Sequence, residues 1–182
     1  MLLTPRKSEK EELWLLCFDD TPNTPKELFD ISDIDTLYEY REDTLIAMAT
    51  LVPVKTDTEL MGYYAYGVCT HPKYRGQGTF KRLMERCEHY ATDKNADFLC
   101  LIAADKALAD TYRRMGYSFP VTLAGNECPE GSIGISSLSN SFSKFAESDD
   151  SADTITLYGL LKPLFPMNEN LKFSFSEHMG EI

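Results

Sequence analysis

The strongest constraint on the fold is a switch of period across one short turn. "ELMGYYAYGVCT" reads as an aromatic β-strand. It must stop at His71-Pro72, because proline cannot continue a ladder in a central strand. Beyond the turn, Phe80, Leu83, Met84, Cys87 and Ala91 recur at the spacing of one helical face, with charges between them. A strand thus feeds an amphipathic helix through the stretch "HPKYRGQGTFKRLM", which carries two glycines and four basic residues in a chain of formal charge -11.

The flanking segments extend this pattern. Ser8 to Phe18 reads as a short helix with acidic residues in its first turn, "DDTPNTP" breaks it, and a second short helix follows near Lys26 to Phe29. "TLYEYRED" and "TLIAMATLVPV" read as antiparallel strands joined at Glu42-Asp43. "DFLCLIAA", Asp97 to Ala104, is an unbroken apolar run that suits a central strand covered on both faces. "DKALADTYRRM" is a further helix, closed by Gly116 at a position suited to a left-handed cap, and a strand follows it. Residues 124–152 show no period and are expected to form a long polar connection, before a last strand at "TITLYGLL" and a loose tail over 166–182. The expectation is a single domain over 1–182, mixed α/β (α+β), with helices flanking a central sheet.

Composition narrows the function. No run reaches the roughly 18–20 apolar residues of a spanning helix, and "MLLTPRKSEKEE" turns charged too soon for a signal peptide, so a cytoplasmic protein without membrane partners is expected. The five cysteines form no CxxC pair, which fits a reducing compartment. His71, His89 and His178 do not fall at metal-ligand spacing with them, so no metal site is expected. The acidic balance argues against a nucleic-acid partner. It is compatible with attraction of cationic small molecules, and equally with a role in solubility alone.

The turn has a chemistry of its own. A glycine loop entering a helix presents unpaired N–H groups at the positive end of the helix dipole, where anions bind. Gly76 and Gly78 allow close approach, and Lys73, Arg75, Lys81 and Arg82 add positive charge. Taken alone, "RGQG" also fits an ordinary tight turn beside a solvated basic face. Neither GxGxxG nor GxxxxGK[ST] is present, which disfavours NAD binding and NTP hydrolysis.

Together, "YGVCTHPKYRGQGTFKRLM", "DFLCLIAA" and "ALADTYRRMGY" resemble the core of the GCN5-related N-acetyltransferase (GNAT) superfamily, over roughly Thr36 to Thr122. The family's acyl-CoA loop reads Arg or Gln, any two residues, Gly, any residue, then Gly or Ala. Arg75 and Gly78 match the first and fourth places, while Phe80 departs from the sixth. The resemblance implies a mostly antiparallel sheet that splays around the cofactor. It also implies acetyl-CoA as co-substrate, its pyrophosphate held by N–H groups of Gly76, Gln77, Gly78, Thr79, Phe80 and Lys81, with Arg75 alongside. Its pantetheine arm would pair with Val68, Cys69 and Thr70.

By the same resemblance, Tyr112 takes the place of the family's tyrosine near the CoA sulfur, where a phenol of pKa about 10 can protonate a leaving thiolate. No base is assigned: Leu60 to Thr70 contains no carboxylate, and His71 reads as a turn residue. Tyr64 and Tyr66 share one face of their strand and are candidates to line an acceptor pocket. Cys69 adjoins the pantetheine path, but direct transfer makes an acyl-enzyme unnecessary. The reading is an N-acetyltransferase that moves acetyl to an amine of a small molecule or peptide within a ternary complex, with a homodimer left open. The alternatives are a catalytically silent CoA-binding regulatory module and a plain interaction domain.

Overall fold

The computed structural model describes residues 4–148 and 157–180. Helices α1 (Lys7–Cys17) and α2 (Asn23–Leu28) come first, followed by strands β1 (Asp35–Arg41), β2 (Thr44–Thr56) and β3 (Met61–Thr70). A short 3-10 turn over Pro72–Tyr74 leads into α3 (Thr79–Asp93), and then β4 (Phe98–Ala103), α4 (Lys106–Arg114) and β5 (Phe119–Thr122). The chain continues through β6 (Ile133–Ser137), α5 (Asn140–Ser148), β7 (Tyr158–Pro163) and β8 (Phe173–Phe175).

The sheet runs β1-β2-β3-β4-β7-β5-β8-β6, and most of its pairings are antiparallel. Because β6 also pairs with β2, strands β2 to β8 close into a ring with β1 outside it. Closure removes the open edge that β6 would otherwise present. Each ring strand sends side chains to one core, among them Val54, Tyr66, Phe98, Ile135, Leu161, Val121 and Phe173, which Trp14, Leu28 and Phe142 of α1, α2 and α5 complete. A second core lies under α3 and α4, where Leu83, Met84, Cys87, Ala109 and Tyr112 pack on Ala49, Leu51, Leu99 and Leu101. Burying each large apolar side chain contributes roughly 1.5–3 kcal/mol.

Two expectations need correction. Residues 124–152 are not one long polar connection, since β6 and α5 lie within them, although 149–152 fall outside the described residues. The tail over 166–182 is not loose where it is described, because β8 pairs in parallel with β5 and β6 and buries Phe173, Phe175 and, beyond it, Met179. The strand expected to be the last, β7, begins at Tyr158 and is followed by β8, and the Thr154–Thr156 part of its expected span lies outside the described residues. Gly116 takes the expected left-handed cap, with φ +96°.

Candidate active site

The sheet parts between β3 and β4. Their parallel pairing covers Gly62↔Phe98, Tyr63↔Leu99 and Tyr64↔Cys100, and then ends while both strands run on. The gap is a cleft of about 440 Å³ of empty space. Ala65, Tyr66, Gly67 and Val68 form one wall, Ile102, Ala104 and Leu108 the other, and Tyr112 also lines it; Phe18 and Gly180 border it.

A β-bulge shapes the β3 wall. Met48 pairs with Cys69 and Thr50 with Tyr66, so Gly67 and Val68 oppose a single β2 residue and have no partner there. With β4 already diverged, no strand flanks them on that side either, and β2 meets them only through the bulge. Gly67 has φ +60°, a conformation that strains any residue with a side chain, and a Cβ there would stand 2.2 Å from Trp14 Cζ3. The bulge also reverses the alternation of β3: Tyr64 and Tyr66 face the ring core, and so does Cys69.

Tyr64 and Tyr66 are therefore mostly core. They are 2% and 1% exposed, packed with Phe142 and with each other, and the Tyr64 hydroxyl donates to the Gly180 carbonyl at 3.3 Å. Both still contribute atoms to the cleft lining. The tail that carries Gly180 thus lies against the tyrosine side of the cleft.

Beyond β3, the turn is organised by its own side chains. His71 Nδ1 accepts from Lys73 N at 3.1 Å and its ring stands edge-on to Tyr74, so this imidazole is a structural cap. Arg75 Nε donates to the Thr70 carbonyl at 3.1 Å, tying the loop to the end of β3. Gly76 and Gly78 have φ +73° and +76°, and a Cβ on Gly76 would meet nothing within 4 Å. Among the described residues, the N–H groups of Gly76, Gln77, Gly78, Thr79, Phe80 and Lys81 have no hydrogen-bond partner in the chain. They open the fifteen-residue helix α3, and so stand at its positive end.

The basic residues have unequal roles. Arg82 donates to Glu39 Oε1 at 2.9 and 2.7 Å and to the Gln77 carbonyl, which neutralises its charge locally. Lys73 and Lys81 remain exposed. Arg41, at the end of β1, holds Gln77 Oε1 at 2.8 Å and lies over the Tyr74 ring. The sequence reading missed Arg41 because only the β1–β2 hairpin, folded over the turn, brings it there.

Tyr112 stands between Phe80 and Tyr117, each with its ring centroid 5.4 Å away in an edge-to-face arrangement. Phe80, at the loop position where the family has a small residue, packs directly on this tyrosine. Burial, with a smaller contribution from Cys87, pushes the phenol of Tyr112 well above its ordinary pKa. It stays protonated at neutral pH, and its hydroxyl has no protein partner among the described residues. Among the described residues, none that lines the cleft carries a carboxylate or an imidazole.

An open sheet edge that ends at a helix N-terminus with unbonded N–H groups fits a long ligand with an amide-bearing arm and a polyphosphate. Residues 8–119 match the family model described as Acetyltransferase (GNAT) domain, and the chain belongs to that family. Acetyl-CoA is the co-substrate of the family. No curated protein matches the sequence significantly.

Solved structures share the fold at low identity. The Escherichia coli GNAT family N-acetyltransferase YhbS, in complex with CoA, superposes with TM-score 0.61 at 15% identity, covering 94% of this chain and 85% of that one. The ribosomal-protein-S18-alanine N-acetyltransferase from Escherichia coli gives 0.59 at 14%, covering 94% and 96%. A probable N-acyltransferase from Enterococcus faecalis gives 0.55 at 16%, where the match covers 60% of this chain and 29% of that longer one. Among the described residues no helix is long and apolar enough to cross a membrane.

Proposed function

We propose that this protein transfers acetyl from acetyl-CoA to an amine of a small molecule or peptide, by direct attack within a ternary complex. The observation that carries the reading is the cleft between β3 and β4, with Tyr112 on its lining and a turn of unbonded N–H groups beyond the end of β3. In this reading the N–H groups of residues 76–81 hold the pyrophosphate, and the backbone of Val68, Cys69 and Thr70 pairs with the pantetheine amides. Acetyl-CoA supplies the activated acyl group.

The chain's own residues do the rest. The Gly67 peptide, at the bulge beside the gap left by β4, offers a donor to the carbonyl oxygen as charge develops on it. Tyr112, kept neutral by burial, gives its proton to the departing sulfur. The partly buried Phe80 ring packs edge-to-face on the phenol and helps position it. With no base lining the cleft among the described residues, the acceptor arrives as a neutral amine or loses its proton to water or to a group the acceptor brings. Tyr64 and Tyr66 form the apolar back of the acceptor side.

Isothermal titration of acetyl-CoA, followed by an amine screen scored by CoA release, tests the proposal. Binding with turnover of an amine supports it, and absence of binding overturns it. The missing base favours a second reading, a CoA-binding module without catalysis. Tight binding with no turnover of any amine would select that reading.

A further inference from the structure

The mechanism above uses the backbone of Cys69 but neither its thiol nor Cys17. Cys17 is the last residue of α1 and Cys69 the penultimate residue of β3, two elements that pack together. Cys17 is half-buried against the core group that contains Cys69, which is 5% exposed. The two thiols are near enough that each shifts the other's titration. Cys17 Sγ also donates to the Thr70 carbonyl at 3.6 Å, the same oxygen that Arg75 Nε holds at 3.1 Å. A pair of thiols therefore sits directly behind the junction of strand and turn.

Their environments differ in a useful direction. The neighbouring Cys69 thiol, aided by the Arg75 charge, draws the Cys17 thiol below its ordinary pKa, while burial first and Cys17 second push Cys69 well up. A reactive thiol is one that is partly accessible, beside positive charge and next to a resolving thiol. Cys17 meets all three conditions. Cys87 and Cys100 are fully buried, and burial raises both, Cys87 to about 12. Cys128 is exposed.

We propose that Cys17 and Cys69 form a thiol–disulfide modification site, oxidised by a hydroperoxide through a sulfenic acid on Cys17, and that the disulfide weakens acetyl-CoA binding. In the first step the Cys17 thiolate attacks the peroxide: an S–O bond forms, the O–O bond breaks, and the leaving oxygen takes a proton to depart as water or an alcohol. In the second step the Cys69 sulfur attacks the sulfenic sulfur: the S–S bond forms, the S–O bond breaks, and the Cys69 proton leaves with the hydroxyl as water. Two thiols lose two electrons and the peroxide gains them. The product no longer has the Cys17 S–H that holds the Thr70 carbonyl, and it fixes the Cys69 side chain toward α1. The effect on affinity rests on the acetyl-CoA reading; the disulfide chemistry does not.

The test uses the full chain with Cys128→Ser, which removes the exposed thiol. After stoichiometric hydrogen peroxide, intact mass should fall by two hydrogens, two thiols should disappear, and peptide mapping should show Cys17 joined to Cys69, all reversed by dithiothreitol. Adding Cys17→Ser, which keeps a donor for the Thr70 carbonyl, should abolish the change. Mapping the wild-type chain gives the same answer without substitution. Acetyl-CoA titration should show about tenfold weaker binding after oxidation. Sulfinic acid on Cys17 with no bridge would overturn the modification site, and equal affinity in the two redox states would overturn the regulation. A reduced protein that binds no acetyl-CoA would sink the cofactor reading, and with it the regulation, while the trapped disulfide would still decide the chemistry.

Discussion

Replacing Gly67 by Ala isolates the bulge that shapes the cleft. At φ +60° an L-residue costs roughly 1–2 kcal/mol. The new Cβ would lie 2.2 Å from Trp14 Cζ3 and 2.8 Å from Cη2, far inside van der Waals contact. Trp14 is 0% exposed and lies against Phe18, Phe29 and Tyr66, so its ring has little room to retreat. Overpacking of that kind costs typically 1–3 kcal/mol. The combined loss is about 2–5 kcal/mol, which at roughly 2–4 °C per kcal/mol for a chain of this size lowers Tm by about 4–20 °C. Thermal unfolding followed by circular dichroism reads it. Trp14→Phe in the same chain removes the clashing ring atoms, so the double variant should be more stable than the sum of the two single losses by about 1–2 kcal/mol. Unchanged Tm for Gly67→Ala, or strict additivity in the cycle, would refute the argument that Trp14 and the bulge are fitted to each other.

Further tests separate binding, chemistry and core. Gly78→Glu puts a side chain and a negative charge at a position with φ +76° at the helix end, so acetyl-CoA binding should be lost in a folded protein, as read by titration calorimetry and circular dichroism; retained affinity would remove the turn from the site. Tyr112→Phe should lower kcat by about 100-fold, within the usual range for a general acid, and leave acetyl-CoA affinity unchanged. The raised Tyr112 pKa implies that kcat shows no falling limb from this group up to pH 10, which a pH–rate profile checks. The neutral burial of Tyr112 and Tyr117 has a stability consequence of defined sign. Stability is at its full value below the unfolded phenol's pKa of about 10 and falls as pH rises from there toward the higher folded-state values, measurable by denaturant titration. Phe173→Ala should cost about 3–5 kcal/mol, because the tail is part of the ring core; a neutral effect would return the tail to the loose segment its composition suggests.

The elements up to β5 were legible because each is long enough to show its period. Phe80 to Ala91 and Asp97 to Ala104 carry twelve- and eight-residue patterns whose type is unambiguous, and proline and glycine mark where they end. The closure of the ring was not legible. β8 is Phe-Ser-Phe, three residues that show no period by themselves, and β6, "IGISS", contains one glycine and two serines. Both become strands because β5 and β2 offer edges to them, a tertiary effect that no local window contains. Helix α5 did leave a signal. Phe142, Phe145 and Ala146 have helical spacing, and Ser139 Oγ accepts from Phe142 N at 3.0 Å as an N-terminal cap should. The serine-rich surroundings hid it.

The candidate site divides in the same way. Backbone functions follow from sequence-local geometry: left-handed glycines, a capping position and a helix N-terminus lie within a few residues of one another, so "HPKYRGQGTFK" specifies them without help from the rest of the fold. Side-chain functions depend on distant segments. Arg41 reaches the turn through a hairpin, Trp14 sets the limit at Gly67 from α1, and Gly180 meets Tyr64 from the far end of the described chain. In the proposed reading the acceptor side is built almost wholly from such long-range contacts, namely Phe18 after α1, the core tyrosines of β3 and the tail beyond β8. Acceptor selectivity should accordingly respond to changes at Phe18 and the 176–180 tail and leave acetyl-CoA affinity unaltered, an outcome that paired amine-screen and calorimetric measurements on Phe18→Ala would establish or refute.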